Sequence, residues 1–399
     1  MTVLHPETKE RSRCTIVCFS NIDWRDVKQR HQILMEGLSG ADRSVFFVEN
    51  LGVRAPKIQL GDASRVFRRV VASLTMRGSD EDTGDVEVVA PIVAPADWPV
   101  GRLVNRTLLY RRLVLGLNRP EGKPTVAWVY LPTRAVSDLL DRLRPDKVVY
   151  DCTINFRAHP GAPADIQETE IELLKRADIV FADAESLFQR CSEVNPNTHR
   201  LPPGVHMDLF GRPEESVRIP EPPDLADINR PMALFFGAAK SLHFDWELLR
   251  AVAERLTGWA FALLGPVDSE VSAGLEDLDN VLLLGSRDHS RLPNYLWAAD
   301  AILLPYRLNE FTEGTFPAKV YECLASGTPI VSTPLPELER QFSDHMLFGS
   351  TTESLSAALK EAAEDEPGAR GRRVELAEQN SWNERIRYVE AELSDLLSN

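Results

Sequence analysis

Short apolar runs alternate with longer amphipathic stretches along most of the chain. The runs are rich in Val, Ile and Leu and lack strict alternation with polar residues, as in strands that are covered on both faces. Eleven such runs are predicted strands: Thr15–Phe19, Ser44–Val48, Val86–Val89, Thr125–Leu131, Lys147–Asp151, Ile179–Asp183, Met232–Gly237, Ala260–Gly265, Val281–Gly285, Ala301–Pro305 and Pro329–Thr333. Helical stretches between them predict parallel sheets with helices on both sides, in two doubly wound α/β domains.

The alternation is interrupted once, by a segment rich in proline and charge from Gly211 to Asp224. Such a composition is typical of an extended, semi-rigid linker. We therefore predict an N-terminal domain over 1–210, a linker over 211–230 and a second domain over 231–379. Residues 380–399 form a predicted final helix, whose apolar stripe consists of Trp382, Ile386, Val389 and Leu393.

Composition narrows the functional classes. The 399 residues suit two domains, and the formal net charge of −15 argues against general nucleic-acid binding. No apolar run approaches the length of a membrane span, and the first eleven residues do not look like a signal peptide. The five cysteines are scattered and form no metal-type pairs, which favours a reduced cytoplasmic setting.

The segment from Pro317 to Thr333 carries the clearest candidate chemistry. Pro317 suits the first position of a helix, and Gly327 suits its left-handed end before the next strand. Lys319 then falls in the first turn, where the helix dipole disfavours a cation unless an anion binds there. Glu322 lies one turn further on the same face. A cation and a carboxylate at this position fit the phosphates and ribose hydroxyls of a nucleotide, although either side chain could instead be solvated.

Two further phosphate candidates follow strand ends. Arg307 comes just after the strand Ala301–Pro305, where ligands of doubly wound sheets bind. Gly237 opens the turn Gly237-Ala-Ala-Lys240, and a glycine there would let the backbone approach a diphosphate. An ordinary strand-to-helix turn is an equally good interpretation, and no Gly-x-Gly-x-x-Gly or Walker pattern occurs.

Glu322 with Ala325-Ser-Gly-Thr-Pro-Ile-Val331 resembles the nucleotide-sugar-binding element of GT-B glycosyltransferases, especially the retaining family 4 of bacterial polysaccharide and cell-envelope enzymes. That family has a second glutamate before the matching position, separated from it by seven intervening residues. Gly314 stands there in this chain, and Glu313 is one residue early. The resemblance implies that Glu322 binds the donor ribose. It also implies that Lys319 and the amides of residues 314–318, Gly314 and Thr315 included, face the diphosphate. The family often places an arginine directly after the glycine that matches Gly237. Ala238 stands there in this chain, so Lys240 is the candidate that takes the place of the arginine.

The N-terminal part carries the same resemblance. It rests on Phe19-Ser-Asn-Ile-Asp-Trp24, Tyr150-Asp-Cys152 and the segment from Leu201 to Phe210. Asp23 is a candidate catalytic or hydroxyl-binding residue, and Trp24 could stack on a sugar. Asp23 could equally cap a helix, and His31, on the apolar stripe Val27-His31-Leu34-Leu38, could equally be a core histidine. The sequence departs from the family at Pro203, His206 and Ile154-Asn155, which lie in segments that the family places at its cleft.

The resemblance implies two Rossmann-like domains that face a cleft, with residues 380–399 returning to the N-terminal domain. It implies a retaining transfer of sugar from a nucleotide diphosphate sugar to a glycan, lipid-linked or small-molecule acceptor, which the N-terminal domain would hold. In such enzymes Arg287 and His289 would lie beside the base and sugar, with Glu313 and Lys319 near the reacting atoms. No metal or other cofactor is expected. Two alternatives remain: a GT-B nucleotide-sugar epimerase, and a non-catalytic protein that binds sugar nucleotides.

Basic amphipathic segments suggest a peripheral membrane contact. In 64–77, five apolar residues share one helical arc and three arginines share the opposite arc. A second stretch, 102–119, holds five arginines and no acidic residue. The alternative for both is a core-packed helix with a solvated basic face.

Overall fold

The computed structural model describes residues 13–26, 28–50, 85–91, 99–159, 162–213, 221–313 and 316–398. The chain divides into two compact units. Met1–Pro202 and Arg385–Asn399 form the first unit, and Pro203–Glu384 form the second.

The first unit contains a seven-stranded parallel sheet with the strand order β3-β2-β1-β4-β5-β6-β7. Its strands are β1 Cys14–Phe19, β2 Arg43–Val48, β3 Val86–Val89, β4 Thr125–Val129, β5 Lys147–Cys152, β6 Ile179–Ala182 and β7 Thr198–Arg200. Its first helices are α1 Arg30–Leu38, α2 Pro99–Val104, a π-helical segment Asn105–Leu109 and α3 Tyr110–Gly116. They are followed by α4 Arg134–Leu143, α5 Ile166–Arg176 and α6 Glu185–Ser192.

The second unit contains a six-stranded parallel sheet with the order β10-β9-β8-β11-β12-β13. Its strands are β8 Met232–Phe236, β9 Ala260–Leu264, β10 Val281–Gly285, β11 Ala301–Leu304, β12 Ile330–Ser332 and β13 Leu347–Phe348. Its helices are α7 Met207–Phe210, α8 Trp246–Arg255, α9 Ser269–Leu275, α10 Leu292–Ala298, α11 Glu310–Glu313, α12 Val320–Ser326, α13 Pro336–Phe342, α14 Thr352–Ala363 and α15 Ala369–Glu378. Short 3₁₀ helices cover Pro223–Leu225 and His289–Arg291.

Both strand orders reverse direction at one point, between β1 and β4 in the first sheet and between β8 and β11 in the second. Loops that follow the two strands at such a point diverge, which leaves a crevice outside the carboxyl ends where doubly wound proteins bind ligands. The central strands are almost wholly buried, which explains their continuous apolar runs.

All eleven predicted strands are present, with ends that differ by two residues at most, and the two doubly wound sheets are confirmed. The strands β7 and β13 were not predicted. They are three and two residues long and lie at sheet edges, so neither provides an apolar run long enough to recognise. All five cysteines are buried and free. No helix among the described residues is long and apolar enough to cross a membrane.

The described part of the predicted linker is not extended. Residues 221–230 contain the 3₁₀ helix Pro223–Leu225, and Leu225 is 1% exposed. Asp224 pairs with Arg287 at 2.6 Å, so this segment packs against the rest of the second unit, to which it belongs. Residues 214–220 of the linker lie outside the described residues.

The last helix, α16, spans Trp382–Ser398 and starts two residues after the predicted beginning. Val389 and Leu393 of the predicted stripe are fully buried. From Arg385 onward the helix belongs to the first unit, where the Tyr388 hydroxyl lies 2.8 Å from His199 Nδ1. The contact with α1 is so close that a β-carbon on Gly37 would lie 2.3 Å from Ile386 Cδ1.

Candidate functional site

The carboxyl edge of the second sheet holds most of the candidate residues. At its reversal point, the loop after β8 contacts the loop after β11. Asp245 N–H donates to the Pro305 carbonyl at 2.8 Å, and Arg307 N–H donates to the His243 carbonyl at 2.9 Å. These two bonds hold the loops together at the edge of the sheet where doubly wound proteins bind their ligands.

The side chain of Lys319 extends to the carboxyl end of β8. Its ammonium group donates a hydrogen bond to the Phe236 carbonyl and lies 4.3 Å from the centre of the Phe235 ring. Burial lowers the pKa of this half-buried lysine to about 8. The structure thus places the ammonium group of Lys319 beside Gly237, while the contact of either residue with a phosphate stays a prediction.

The start of the following helix differs from the prediction. Pro317 is not the first helical residue, because Val320 N–H bonds to the Pro317 carbonyl in a turn and the helix begins at Val320. Lys319 occupies the N-cap position, and the rings and carbonyl of β8 surround its ammonium group. Gly327 ends the helix with φ +69, which confirms the predicted left-handed stop.

Glu322 and His289, predicted separately as nucleotide contacts, lie side by side. His289 Nε2 is 3.6 Å from Glu322 Oε1, and both side chains remain partly accessible to solvent. The His289 ring also packs edge-on against Phe210, with 5.2 Å between ring centres. This cluster offers a carboxylate, an imidazole and an aromatic ring next to each other.

Arg287 lies in the same loop as His289, but its guanidinium group already forms hydrogen bonds with other groups of the protein. Its Nη2 donates to Asp224 at 2.6 Å, its Nε to the Tyr295 hydroxyl at 3.0 Å and its Nη1 to the Leu284 carbonyl at 2.7 Å. Tyr295 in turn donates to Asp224 at 2.9 Å. Arg287 therefore anchors the loop that carries His289. Its ion pair could not be recognised in the sequence because Asp224 lies 63 positions away.

Arg307 and Lys240, the two other cations near the carboxyl edge of this sheet, differ in their surroundings. Arg307 pairs with Glu247 at 2.8 Å, while Lys240 is exposed and has no ion pair among the described residues. His243, which sequence reasoning did not select, follows this loop and lies 3.0 Å from the Ala238 carbonyl. Burial, together with Lys319 and Lys240, lowers the pKa of His243, although the hydrogen bond with the Ala238 carbonyl acts in the opposite direction.

Glu313 ends the four-residue helix α11 and is exposed. Gly314 and Thr315 lie outside the described residues, so their predicted contacts with a diphosphate stay predictions. Among the residues that the structure does describe, no three His, Cys, Asp or Glu side chains are grouped as metal ligands. The expectation that the reaction needs no metal also stays a prediction.

Asp23 and Trp24 follow β1 at the reversal point of the first sheet. Asp23 does not cap α1, because that helix begins at Arg30 with Gln29 as its N-cap. Instead, Asp23 N–H bonds to the Asp26 carboxylate at 3.0 Å in a turn. Trp24 packs edge-on against Phe47 with 4.9 Å between ring centres, so part of the ring that was predicted to stack on a sugar already has a protein partner.

Arg30 and His31 are buried beside this loop. Arg30 forms two hydrogen bonds with the fully buried carboxylate of Asp151, at 2.9 and 2.8 Å. His31 stacks on Tyr130 and lies 2.9 Å from the Ser20 hydroxyl. Burial and the nearby Arg30 lower the pKa of His31 to about 3, as expected of a neutral core histidine.

Part of the second unit matches a known protein family. Residues 230–365 match the family model described as Glycosyl transferases group 1. The matched segment contains β8 to β13, and therefore Gly237, Lys319, His289 and Glu322. Its extent is about a third of the chain.

One curated relative is a Bacillus subtilis (strain 168) protein named as a teichuronic acid biosynthesis glycosyltransferase, TuaH. It is 24% identical over 211 residues, which cover 49% of this chain and 52% of the relative. The match thus spans about half the length of that relative.

Solved structures match over nearly the whole chain. Anabaena HepE in complex with UDP and glucose has a TM-score of 0.68 at 13% identity and covers 97% of this chain and 100% of its own. Sucrose-phosphate synthase from Thermosynechococcus elongatus has a TM-score of 0.67 at 15% identity, with coverages of 97% and 100%. At these identities the likeness establishes the fold alone: two Rossmann-like α/β units of the GT-B type.

Proposed function

We propose that this chain is a glycosyltransferase that moves a sugar from a nucleoside diphosphate sugar to an acceptor. The observation that carries the proposal is the convergence of Lys319, Gly237, Glu322 and His289 at the carboxyl edge of the second sheet, next to its reversal point. The match of this same segment to the group 1 glycosyl transferases supports it. HepE structures that contain UDP or UDP-glucose support a nucleotide-sugar donor.

In the proposed reaction, Glu322 accepts hydrogen bonds from the donor ribose and His289 lies beside the nucleoside. Lys319 supplies positive charge near the diphosphate, where negative charge develops as the sugar–oxygen bond breaks. To reach the diphosphate, its ammonium group exchanges the Phe236 carbonyl for a phosphate oxygen. That this positive charge suffices without a metal is part of the proposal.

The finer features of the reaction are also proposals. Retention of configuration follows from the resemblance of Glu322 and the segment after it to the retaining family. In a front-face mechanism, the leaving phosphate oxygen takes the proton of the acceptor, so no separate general base is required. The first unit would hold the acceptor near Asp23. The relation to TuaH supports a polysaccharide or cell-envelope acceptor, and the five free, buried cysteines support a cytoplasmic location.

A thermal-shift screen with UDP-, GDP- and dTDP-sugars tests donor binding, because a ligand of the native state raises the melting temperature by mass action. The best donor is then incubated with and without candidate acceptors, and the products are identified. Absence of any shift across the panel at millimolar concentration contradicts the proposal.

Two alternatives give different products. An epimerase would release a rearranged nucleotide sugar without an acceptor. A non-catalytic protein would bind the donor and release nothing, and Gly314 at the position of the family's first glutamate is the observation that favours it.

A further inference from the structure

The helical stretch 99–116 of the first unit exposes an unusual amount of apolar surface. Leu103, Leu108 and Leu115 are 62%, 61% and 73% exposed, the highest values among the large hydrophobic side chains of the described residues. Single exposed leucines are common, whereas three on one helical stretch call for a partner.

The π-helical segment Asn105–Leu109 explains how two of these leucines, Leu103 and Leu108, are both exposed. In a π turn, residues five apart lie nearly above one another, as in the hydrogen bond from Tyr110 N–H to the Asn105 carbonyl. Asn105 and Tyr110 are therefore both buried, and Leu103 and Leu108, with the same spacing of five, are both exposed. A continuous α-helix would separate each pair around its axis.

The same stretch is strongly basic. It contains four arginines and no acidic residue, in a chain whose net charge is −15. Arg102, Arg111 and Arg112 are exposed and form no ion pair with the described residues, whereas Arg106 pairs with Asp138 at 3.4 Å. We call the three leucines and the three unpaired arginines the 99–116 face.

We propose that the 99–116 face docks on an anionic lipid bilayer, with its leucines in the boundary of the acyl chains and its arginines among the headgroups. Exposed leucines next to unpaired cations, with no acid, match the chemistry of such a surface. Arg142, which donates to the Arg106 carbonyl, and Asp138 attach the inner side of the stretch to α4.

Charge argues against two other occupants of the 99–116 face, namely residues 51–84 of this chain and a second copy of the chain. Residues 51–84, which include the predicted basic segment 64–77, lie outside the described residues. They carry six Lys or Arg and four Asp or Glu, so they are themselves basic. A second copy that packed its own 99–116 face here would bring like charges together. The bilayer proposal does not depend on the proposed sugar transfer, because its test contains no nucleotide sugar.

The test is co-sedimentation of the full chain with vesicles of phosphatidylcholine alone or mixed with phosphatidylglycerol, at low and high salt. We expect at least about tenfold tighter binding to the anionic vesicles at low salt, weakened by high salt. Two triple variants should each lose about tenfold or more: Leu103→Ser with Leu108→Ser and Leu115→Ser, and Arg102→Gln with Arg111→Gln and Arg112→Gln.

The matched control removes three exposed cations elsewhere, with Lys175→Gln, Arg340→Gln and Lys360→Gln, and should bind like the wild type. Equal binding to neutral and anionic vesicles, or unchanged binding by both triple variants, overturns the proposal. A wild type that does not bind vesicles also overturns it; a leucine variant that then changes the oligomeric state assigns the face to a contact between copies of the chain.

Discussion

A β-carbon on residue 237 would lie 2.5 Å from the Lys319 Nζ atom, so the glycine after β8 leaves the space in which the lysine ammonium group lies. Gly237 also has φ +112, a conformation that side chains other than glycine disfavour. The two residues are 82 positions apart, yet the missing side chain of Gly237 leaves room for the ammonium group of Lys319. This relationship places a cation at the end of the strand where a donor diphosphate is proposed to bind.

The lowered pKa of Lys319 predicts a pH-dependent affinity for nucleoside diphosphate. The free protein loses this proton as pH rises through about 8, and the diphosphate binds the protonated form. Affinity should therefore be flat near pH 7 and fall by up to about tenfold per pH unit above pH 8. Calorimetric titrations from pH 7 to 9.5 measure this. Lys319→Met should bind more weakly with little pH dependence, and a flat wild-type profile contradicts the prediction.

Arg287 is expected to act through the loop that it anchors. Arg287→Met and Asp224→Asn should weaken donor binding to a similar extent, because each removes one charge of the same 2.6 Å ion pair. The double variant should be little worse than either single variant, since neighbouring residues in one network are not additive. If Arg287 touches the donor directly, Arg287→Met will weaken binding while Asp224→Asn will leave it intact.

The last helix should stabilise the first unit. Leu393 is fully buried, so Leu393→Ala should lower the free energy of unfolding by about 2–5 kcal/mol, the range for such a truncation. Urea denaturation followed by circular dichroism measures the shift. Asn383→Ala, at an exposed position of the same helix, is the control. Equal midpoints for the two variants contradict this role for α16.

Sugar transfer should proceed without a divalent metal. The reason is the placement of Lys319, which supplies positive charge where a metal would otherwise neutralise the leaving diphosphate. Turnover should survive EDTA. Loss of activity in EDTA that Mg²⁺ or Mn²⁺ restores shows the prediction to be wrong.

The sheets were predictable because their buried strands leave continuous apolar runs, and the helix end at Gly327 was predictable from glycine chemistry. Glu322, His289, Gly237 and Lys319 could be selected because they follow strands or lie in a recognisable motif. The ion pair between Arg287 and Asp224 could not be predicted, because Asp224 lies in a segment whose composition is that of a linker. The packing of Trp24 on Phe47 was equally inaccessible, because spacing alone does not show which face of a loop meets the core.

The most direct test of the donor site is calorimetry of the best nucleoside diphosphate sugar with Glu322→Gln beside Glu339→Gln, an exposed glutamate of α13. Glu322→Gln keeps the shape of the side chain and removes the charge that is proposed to bind the ribose hydroxyls. We predict a loss of roughly 1.5–3 kcal/mol in binding free energy for Glu322→Gln, the range for hydrogen bonds to a charged group, and none for Glu339→Gln. Equal affinity of the wild type and the folded Glu322→Gln variant would contradict the assignment of the donor site.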